Sequence, residues 1–375
     1  MKVPFIDLKR VAGLVHAQAL EAWQRVAERT EFVGGPTVGA LEAALAGKLG
    51  VRHAIGCSSG TDAILIGLQA LGVGPGSKVA LPDLTFWATY EAVAQLGATP
   101  VLVDVDEDLQ LDLDELRRAH DAHRLDAVVL VHLMGWASAR LGEIRAFCQE
   151  RGLALVEDGA QAYGVEVAGA PVFAGARLST LSFYPAKVIG GCMDGGAILT
   201  DDEALAGLVR KLCNHGRATH YSYSHVGWNS RMGGLQAAWL LAMLGHADEI
   251  VRTRRADEAR FRERLAEVAP LARAYGPPAG VAGNGYLSVF ALERAEHEAV
   301  ARRLGELGVG VGRVYPETLS QQEPARQAPR ASDLERSRDF CRRVVDLPLF
   351  YGMTAEEHAH VCQSFATVLR AESER

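Results

Sequence analysis

Helical apolar spacing runs over residues 10–29, stops at Phe32-Val-Gly-Gly-Pro36 and resumes over 38–48. From residue 54 the period changes repeatedly. Short apolar runs at 54–57, 78–81, 100–104, 126–132 and 153–158 predict strands. Helical spacing at 62–71, 85–96 and up to residue 151 predicts helices between them, with glycine stops at 72–76 and 97. Each strand is apolar along most of its length. Such strands form a mostly parallel sheet with both faces covered, an α/β architecture. Ligands of these sheets bind at the carboxyl ends of the strands, where Asp104, Asp158 and the turn at Gly60 fall.

The texture changes after residue 240. A charged helix is predicted at 248–268, then a loop rich in glycine, proline and alanine at 276–285. A strand at 286–292, a helix at 296–307 and a strand at 309–315 follow. The polar, aperiodic stretch 317–333 reads as a surface loop. The expected organisation is a large domain over 1–245, carrying an N-terminal helical segment, and a smaller α/β domain over 246–375.

With 49% hydrophobic and 23% charged residues in 375, the chain can bury a large core. A formal net charge of -7 argues against nucleic acid, which needs a basic face. The six cysteines show no CxxC pair and no cysteine–histidine ligand spacing. They read as reduced thiols of a cytoplasmic protein, with no disulfide framework and no metal site. The start, MKVPFIDLKR, lacks the apolar centre of a signal peptide, and no uncharged run reaches the ~20 residues of a membrane helix.

Three places carry candidate chemistry. Gly56-Cys-Ser-Ser-Gly-Thr61 joins a strand to a helix, where backbone amides and hydroxyls attract a phosphate. A plain serine-capped turn is the bland alternative. No Walker lysine follows and GxGxxG is absent, so a nucleotide-triphosphate or Rossmann site is not indicated. Glu157-Asp158 ends an apolar strand. The pair reads either as a cap or as a buried carboxylate that needs a positive partner, such as a protonated ring nitrogen. Lys187 stands in LSFYPAKVIGGCMDGG, among Phe183, Tyr184 and Pro185, with glycines at 190, 191, 195 and 196. It is either an exposed loop lysine or an amine of lowered pKa, nucleophilic toward carbonyls, beside a backbone that approaches a ligand closely. Phosphate turn, acceptor aspartate and lysine together match the phosphate, pyridinium nitrogen and aldehyde of pyridoxal 5'-phosphate.

The order of motifs resembles the DegT/DnrJ/StrS nucleotide-sugar aminotransferases, which have the fold-type I aminotransferase architecture. It runs through Pro4-Phe-Ile-Asp-Leu8, Ser59-Gly-Thr-Asp-Ala63, Gly72-Val-Gly-Pro-Gly76, Glu157-Asp-Gly-Ala-Gln161 and Ser182-Phe-Tyr-Pro-Ala-Lys187. Asp194-Gly-Gly-Ala197, Gly227-Trp-Asn-Ser-Arg231, Leu235-Gln-Ala-Ala238 and Leu347-Pro-Leu349 continue it to near the end of the chain.

The resemblance implies that Lys187 bonds the cofactor's aldehyde and then moves protons, with Asp158 keeping the pyridinium charged. It implies that Gln161 meets the ring oxygen, that Gly60, Thr61 and Ser182 hold the phosphate, and that Phe86 rather than Trp87 stacks on the ring. Asn229 would reach the partner subunit's cofactor in a homodimer with shared sites. Arg231, Tyr315, His215 and Tyr184 are candidates for binding substrate. The implied reaction takes an amine, expected from L-glutamate, through the pyridoxamine form of the cofactor to a UDP- or dTDP-linked keto sugar. Lysine at 187 argues against the dehydrating branch, which has histidine there. Asn229-Ser-Arg231 resembles members that aminate C3. Amination at C4 and a non-catalytic regulatory protein that retains the cofactor pocket are the alternatives. The chain departs from the family's usual wording at Val188-Ile189, Gly159, Gly233, Val314, Glu317-Thr318 and Phe350.

Overall fold

The computed structural model describes residues 1–373. Seven strands form its main sheet, in the spatial order His53–Cys57, Gly196–Thr200, Ser179–Ser182, Ala154–Asp158, Ala127–Val131, Lys78–Pro82 and Thr99–Val103. Gly196–Thr200 runs antiparallel to both neighbours, and the remaining pairings are parallel. The expected parallel-dominated α/β class is the one observed. Side-chain alternation divides the strand interiors between two cores. Val128 and Leu130 enter one, while Ala127, Val129 and Val131 enter the other.

The predicted strands at 54–57, 78–81, 100–104, 126–132 and 153–158 all form, within a residue or two. The apolar pattern did not single out strands Ser179–Ser182 and Gly196–Thr200, or helices Leu113–His123, Glu203–Cys213 and Gly234–Leu244.

A second, antiparallel sheet orders Ala272–Ala274, Ser288–Leu292 and Val344–Leu347. Helices His297–Glu306 and Ala355–Ser373 help bury its third core, in which Phe290 and Phe365 meet edge to face at 5.3 Å. The chain start joins this part: Val3 bridges Val309, and Arg10 grips Glu357 in a charged fork at 2.8 and 2.5 Å.

Two expectations are corrected. Residues 309–315 form no strand; they make isolated bridges through Val309 and Gly312. Gly310 and Gly312 press against Phe5, whose position leaves no room for a side chain at either, so the segment packs on the N-terminal residues instead of extending the sheet. The stretch 317–333 is not merely a surface loop. Thr318, Leu319, Ser320 and Ala325 are buried, because the Asp83 carboxylate accepts hydrogen bonds from Ser320 N at 2.7 Å and Ser320 Oγ at 3.0 Å.

No helix among the described residues is long and apolar enough to cross a membrane.

Truncating Phe365 to alanine should cost about 3–5 kcal/mol of stability, because it removes a fully buried ring and leaves a cavity. Urea unfolding of the variant should show this loss. Glu357 gives a pH dependence. Hydrogen bonding from Arg10 holds its carboxyl down to about 2, below its ordinary 4.5. A depressed carboxyl stabilises fully above its unfolded value and loses that contribution as protons bind. The stability advantage of the native protein over Glu357→Gln should therefore shrink as pH falls from about 4.5 toward 2. Thermal melts across that range measure it.

Candidate functional site

Two adjacent carboxylates end the central strand Ala154–Asp158 and point to opposite faces of the sheet. Burial pushes the Glu157 carboxyl up, but hydrogen bonds from His132 and Arg145 outweigh this and hold it below the usual range. Arg145 donates to it at 2.7 and 2.8 Å, and His132 Nε2 lies 3.0 Å away. Asp158 is as deeply buried, at 4% exposed, yet no cation forms an ion pair with it among the described residues. It accepts only Ala160 N at 3.0 Å and Thr89 Oγ1 at 3.3 Å. Burial raises its pKa, an effect that the Ala160 bond and the nearby Lys187 charge oppose without cancelling. A cation brought in from outside would relieve that cost.

Facing Asp158, helix Gly60–Ala70 begins directly against Ser182. A Cβ on Gly60 would lie 2.7 Å from the Ser182 Cβ, so only glycine permits the contact. Gly196 packs equally close to the Ser59 carbonyl, again with no room for a Cβ. Helix amide groups, Thr61 and the Ser182 hydroxyl thus converge at one helix N-terminus, a geometry suited to an anion such as phosphate. Ser230, buried beside this turn, accepts a hydrogen bond from Ser58 N at 3.2 Å.

Lys187 lies beyond the strand Ser179–Ser182, and its Nζ is 3.4 Å from the Tyr286 hydroxyl and 5.1 Å from the ring centre. The glycines around it do not chiefly clear space for a ligand, contrary to the expectation from sequence. Gly190 abuts the Pro185 carbonyl, and Gly191 and Gly195 abut Gln236. Gln236 is buried, accepts from Cys192 N at 3.0 Å and donates to Met193 O at 2.8 Å. Trp239 Nε1 reaches Gly190 O at 3.0 Å. Val188 and Ile189 are buried in the core. The lysine is therefore held on a loop clamped from both sides.

Gln161 donates to the Tyr315 hydroxyl at 2.6 Å and accepts from Met134 N at 2.6 Å, which places both side chains beside Asp158. Phe86 is 65% exposed and starts the helix whose Thr89 touches Asp158, whereas Trp87 stacks on Tyr90. Tyr184 is exposed next to the lysine loop. Asn229 and Arg231 flank Ser230, with Asn229 Oδ1 accepting from Arg231 Nη2 at 2.7 Å. His215 sits on the exposed loop that leads to them, in a left-handed conformation. None of the last three has a contact with Lys187. Asp104, also at a strand end, is a clamp and not part of the cleft. It accepts from Arg336 N and Ser337 N.

Two residues beside the candidate groups escape the sequence reading. Thr89 carries no local signal, since it is one polar residue of a helix. Tyr286 reads only as the first residue of a strand. Its place after Asn284-Gly285, where Asn284 is fully buried and bonds Gln161 O and Tyr163 O, was the available hint.

The sequence profile of the DegT/DnrJ/EryC1/StrS aminotransferase family matches residues 15–366. The chain belongs to this family. It is 34% identical, over 98% of its length and 97% of the relative's, to a UDP-N-acetyl-3-dehydro-α-D-glucosamine 3-aminotransferase of Acidithiobacillus ferrooxidans. It is 33% identical, over 93% and 91%, to a dTDP-3-amino-3,4,6-trideoxy-α-D-glucose transaminase of Streptomyces venezuelae. The solved structure of S. venezuelae DesV in complex with a ketimine intermediate superposes with a TM-score of 0.92, at 32% identity, over 98% of both chains. The protein is an aminotransferase whose cofactor is pyridoxal 5'-phosphate, with the pyridoxamine form as its amine carrier. The site fits that cofactor: a buried carboxylate lacking a cation, a helix N-terminus free for phosphate and a clamped lysine amine.

Replacing Gln236 with alanine should destabilise the enzyme by about 1–3 kcal/mol, the cost of leaving buried partners unpaired. The lysine loop should also loosen, and faster amide exchange over residues 190–196 in hydrogen-exchange mass spectrometry would show it.

Proposed function

We propose that this enzyme transfers an amine from L-glutamate to C3 of a UDP- or dTDP-linked keto sugar. The observation that carries the reading is that Asp158 lies within electrostatic reach of Lys187, while the Gly60 helix N-terminus packs on Ser182 at the end of the neighbouring strand, each group suited to a different part of one cofactor. The choice of a nucleotide sugar and of C3 is supported by the two relatives named above, both named for 3-amino products or 3-amination.

In this reading the cofactor supplies an aldehyde that exchanges amines and a ring that accepts electrons. Asp158 would hold the ring nitrogen's proton, and burial would make that pairing strong. Gln161, oriented by Tyr315, would donate to the ring oxygen. Gly60, Thr61 and Ser182 would bind the phosphate, and Phe86 would cover the ring. Lys187 Nζ would hold the cofactor at its aldehyde, and as a free amine it would be the group placed to move a proton to or from the substrate carbon, with the Tyr286 hydroxyl 3.4 Å away to hydrogen-bond it. Tyr184, His215, Arg231 and Tyr315 are the proposed contacts to the sugar nucleotide. Arg231 is the choice for its phosphates, because a guanidinium fork suits them.

Asn229, His215 and Arg231 acquire a role if two copies share their sites, with Asn229 reaching the partner's cofactor phosphate. Exposed apolar side chains on the loop that leads to Asn229, Tyr221 at 86% and Val226 at 88%, support the homodimer reading. The boundary near residue 245 and a cytoplasmic location belong to the same reading.

The test is Lys187→Ala. The variant should fold normally, as judged by circular dichroism. It should lose the borohydride-trappable attachment of cofactor and all amine transfer to UDP- and dTDP-3-keto sugars. Trapping at another lysine with retained turnover would refute the assignment, and a wild-type enzyme that aminates only 4-keto sugars would move the reaction to C4.

A further inference from the structure

Arg254 lines the cleft that also holds Lys187, a space of about 220 Å³ bounded by Phe5, Val314, Phe350 and Tyr286. It stands on helix Ala247–Arg264, and its Nε and Nη2 donate to the carbonyls of Gly285 at 3.0 Å and Tyr286 at 2.9 Å. Its charge is felt by Asp257 one turn along the helix, but among the described residues no carboxylate forms an ion pair with Arg254. Asp257 on the same helix is paired with Arg260, and Asp7, the one carboxylate lining the cleft, is held by Arg10. Burial accordingly pushes the guanidinium down to about 10.

Buried arginines are ordinarily matched, as Arg145 is by Glu157 in this same chain. A guanidinium has five N–H donors. Two bonds to carbonyls occupy the Nε–Nη2 edge, which leaves the Nη1–Nη2 edge, a planar pair spaced for the two oxygens of a carboxylate. The cleft is too small for a nucleotide diphosphate but large enough for an amino acid, and Tyr286 touches both Arg254 and the lysine amine.

We infer that Arg254 binds a substrate carboxylate beside Lys187, namely the α-carboxylate of the amino-acid donor. The inference rests on the aminotransferase reading. A carboxylate carried by the sugar would present the same chemistry, so the two half-reactions are measured separately on the cofactor-loaded enzyme.

Wild-type enzyme is first given L-glutamate and its α-amide, which needs no variant. The amide should react with a KM about 10- to 100-fold higher, the scale of one lost charge-assisted bond. Arg254→Gln should impose the same penalty on glutamate, and Arg254→Lys should recover part of it. Cofactor retention and the KM of a nucleotide-linked amino sugar whose sugar bears no carboxylate, run in reverse, should not move. A penalty confined to sugars bearing a carboxylate would support the carboxylate site but assign it to the sugar. Equal use of glutamate and its amide, together with no loss on any carboxylated substrate, would overturn the inference. So would an equal loss for the sugar without a carboxylate, which would mark Arg254 as only a brace for Gly285 and Tyr286. Titration of the wild type and Arg254→Gln with glutarate separates the two failures. Arg254-dependent binding of glutarate without amine transfer would sink the proposed reaction and leave the site standing.

Discussion

A carboxylate enclosed at the end of a central strand, with no cation in an ion pair with it among the described residues, sets the terms for the rest of this site. Leaving Asp158 ionised in a low-dielectric interior is costly, and the protein spends only a backbone amide and a threonine hydroxyl on it. Its neighbour Glu157, one residue earlier and on the opposite face, receives both an arginine and a histidine. The contrast makes the asymmetry functional. Glu157 is a structural anion that fastens helix Leu141–Glu150 to the sheet through Arg145, while Asp158 has no such partner and, in the proposed reading, would be matched by the cofactor's ring nitrogen.

The sheet makes that arrangement possible. Because the strands beside Asp158 run parallel, their carboxyl ends open on one edge, and the phosphate turn, Gln161 and the lysine loop all begin there. The single antiparallel strand, Gly196–Thr200, carries the chain back from the lysine loop and seats Gly196 against the Ser59 carbonyl. Lys187 is thus fixed relative to the helix N-terminus by backbone packing, and Gln236 completes the clamp from helix Gly234–Leu244. Catalytic groups gain from being held near their working geometry by neighbours already locked in place.

A second line of support comes from the later part of the chain. Buried Asp346 accepts from Val314 N at 2.8 Å, which orients the segment bearing Tyr315, and Tyr315 in turn engages Gln161. Tyr286, Arg254 and Tyr315 bring the far end of the sequence to the lysine. The cleft therefore lies where the main sheet meets the elements around the second sheet, a common position for a small-molecule site.

Much of this was legible in the residues themselves. Continuous apolar runs mark the central strands and period-3.6 patterns the helices, because a strand buried on both faces has little choice of composition. The three chemical anchors Gly60, Asp158 and Lys187 stand out because each is costly or unusual where it lies. Other features were invisible for a physical reason. Ser179–Ser182 carries three hydroxyl residues in four, and Gly196–Thr200 has only Ala-Ile-Leu between a glycine and a threonine, so pairing rather than propensity makes them strands. The glycines after Lys187 announce close approach without naming the partner, and only folding reveals that Gln236, 40 residues or more away in sequence, is what approaches. Sequence alone determined which groups are suited to a cofactor, since charge, amine and phosphate-binding amides are properties of residues. Tertiary structure decided which charges were left unanswered. Arg145 and Arg254 look alike along the chain, and only the packed interior gives one a carboxylate and leaves the other facing the cleft without one.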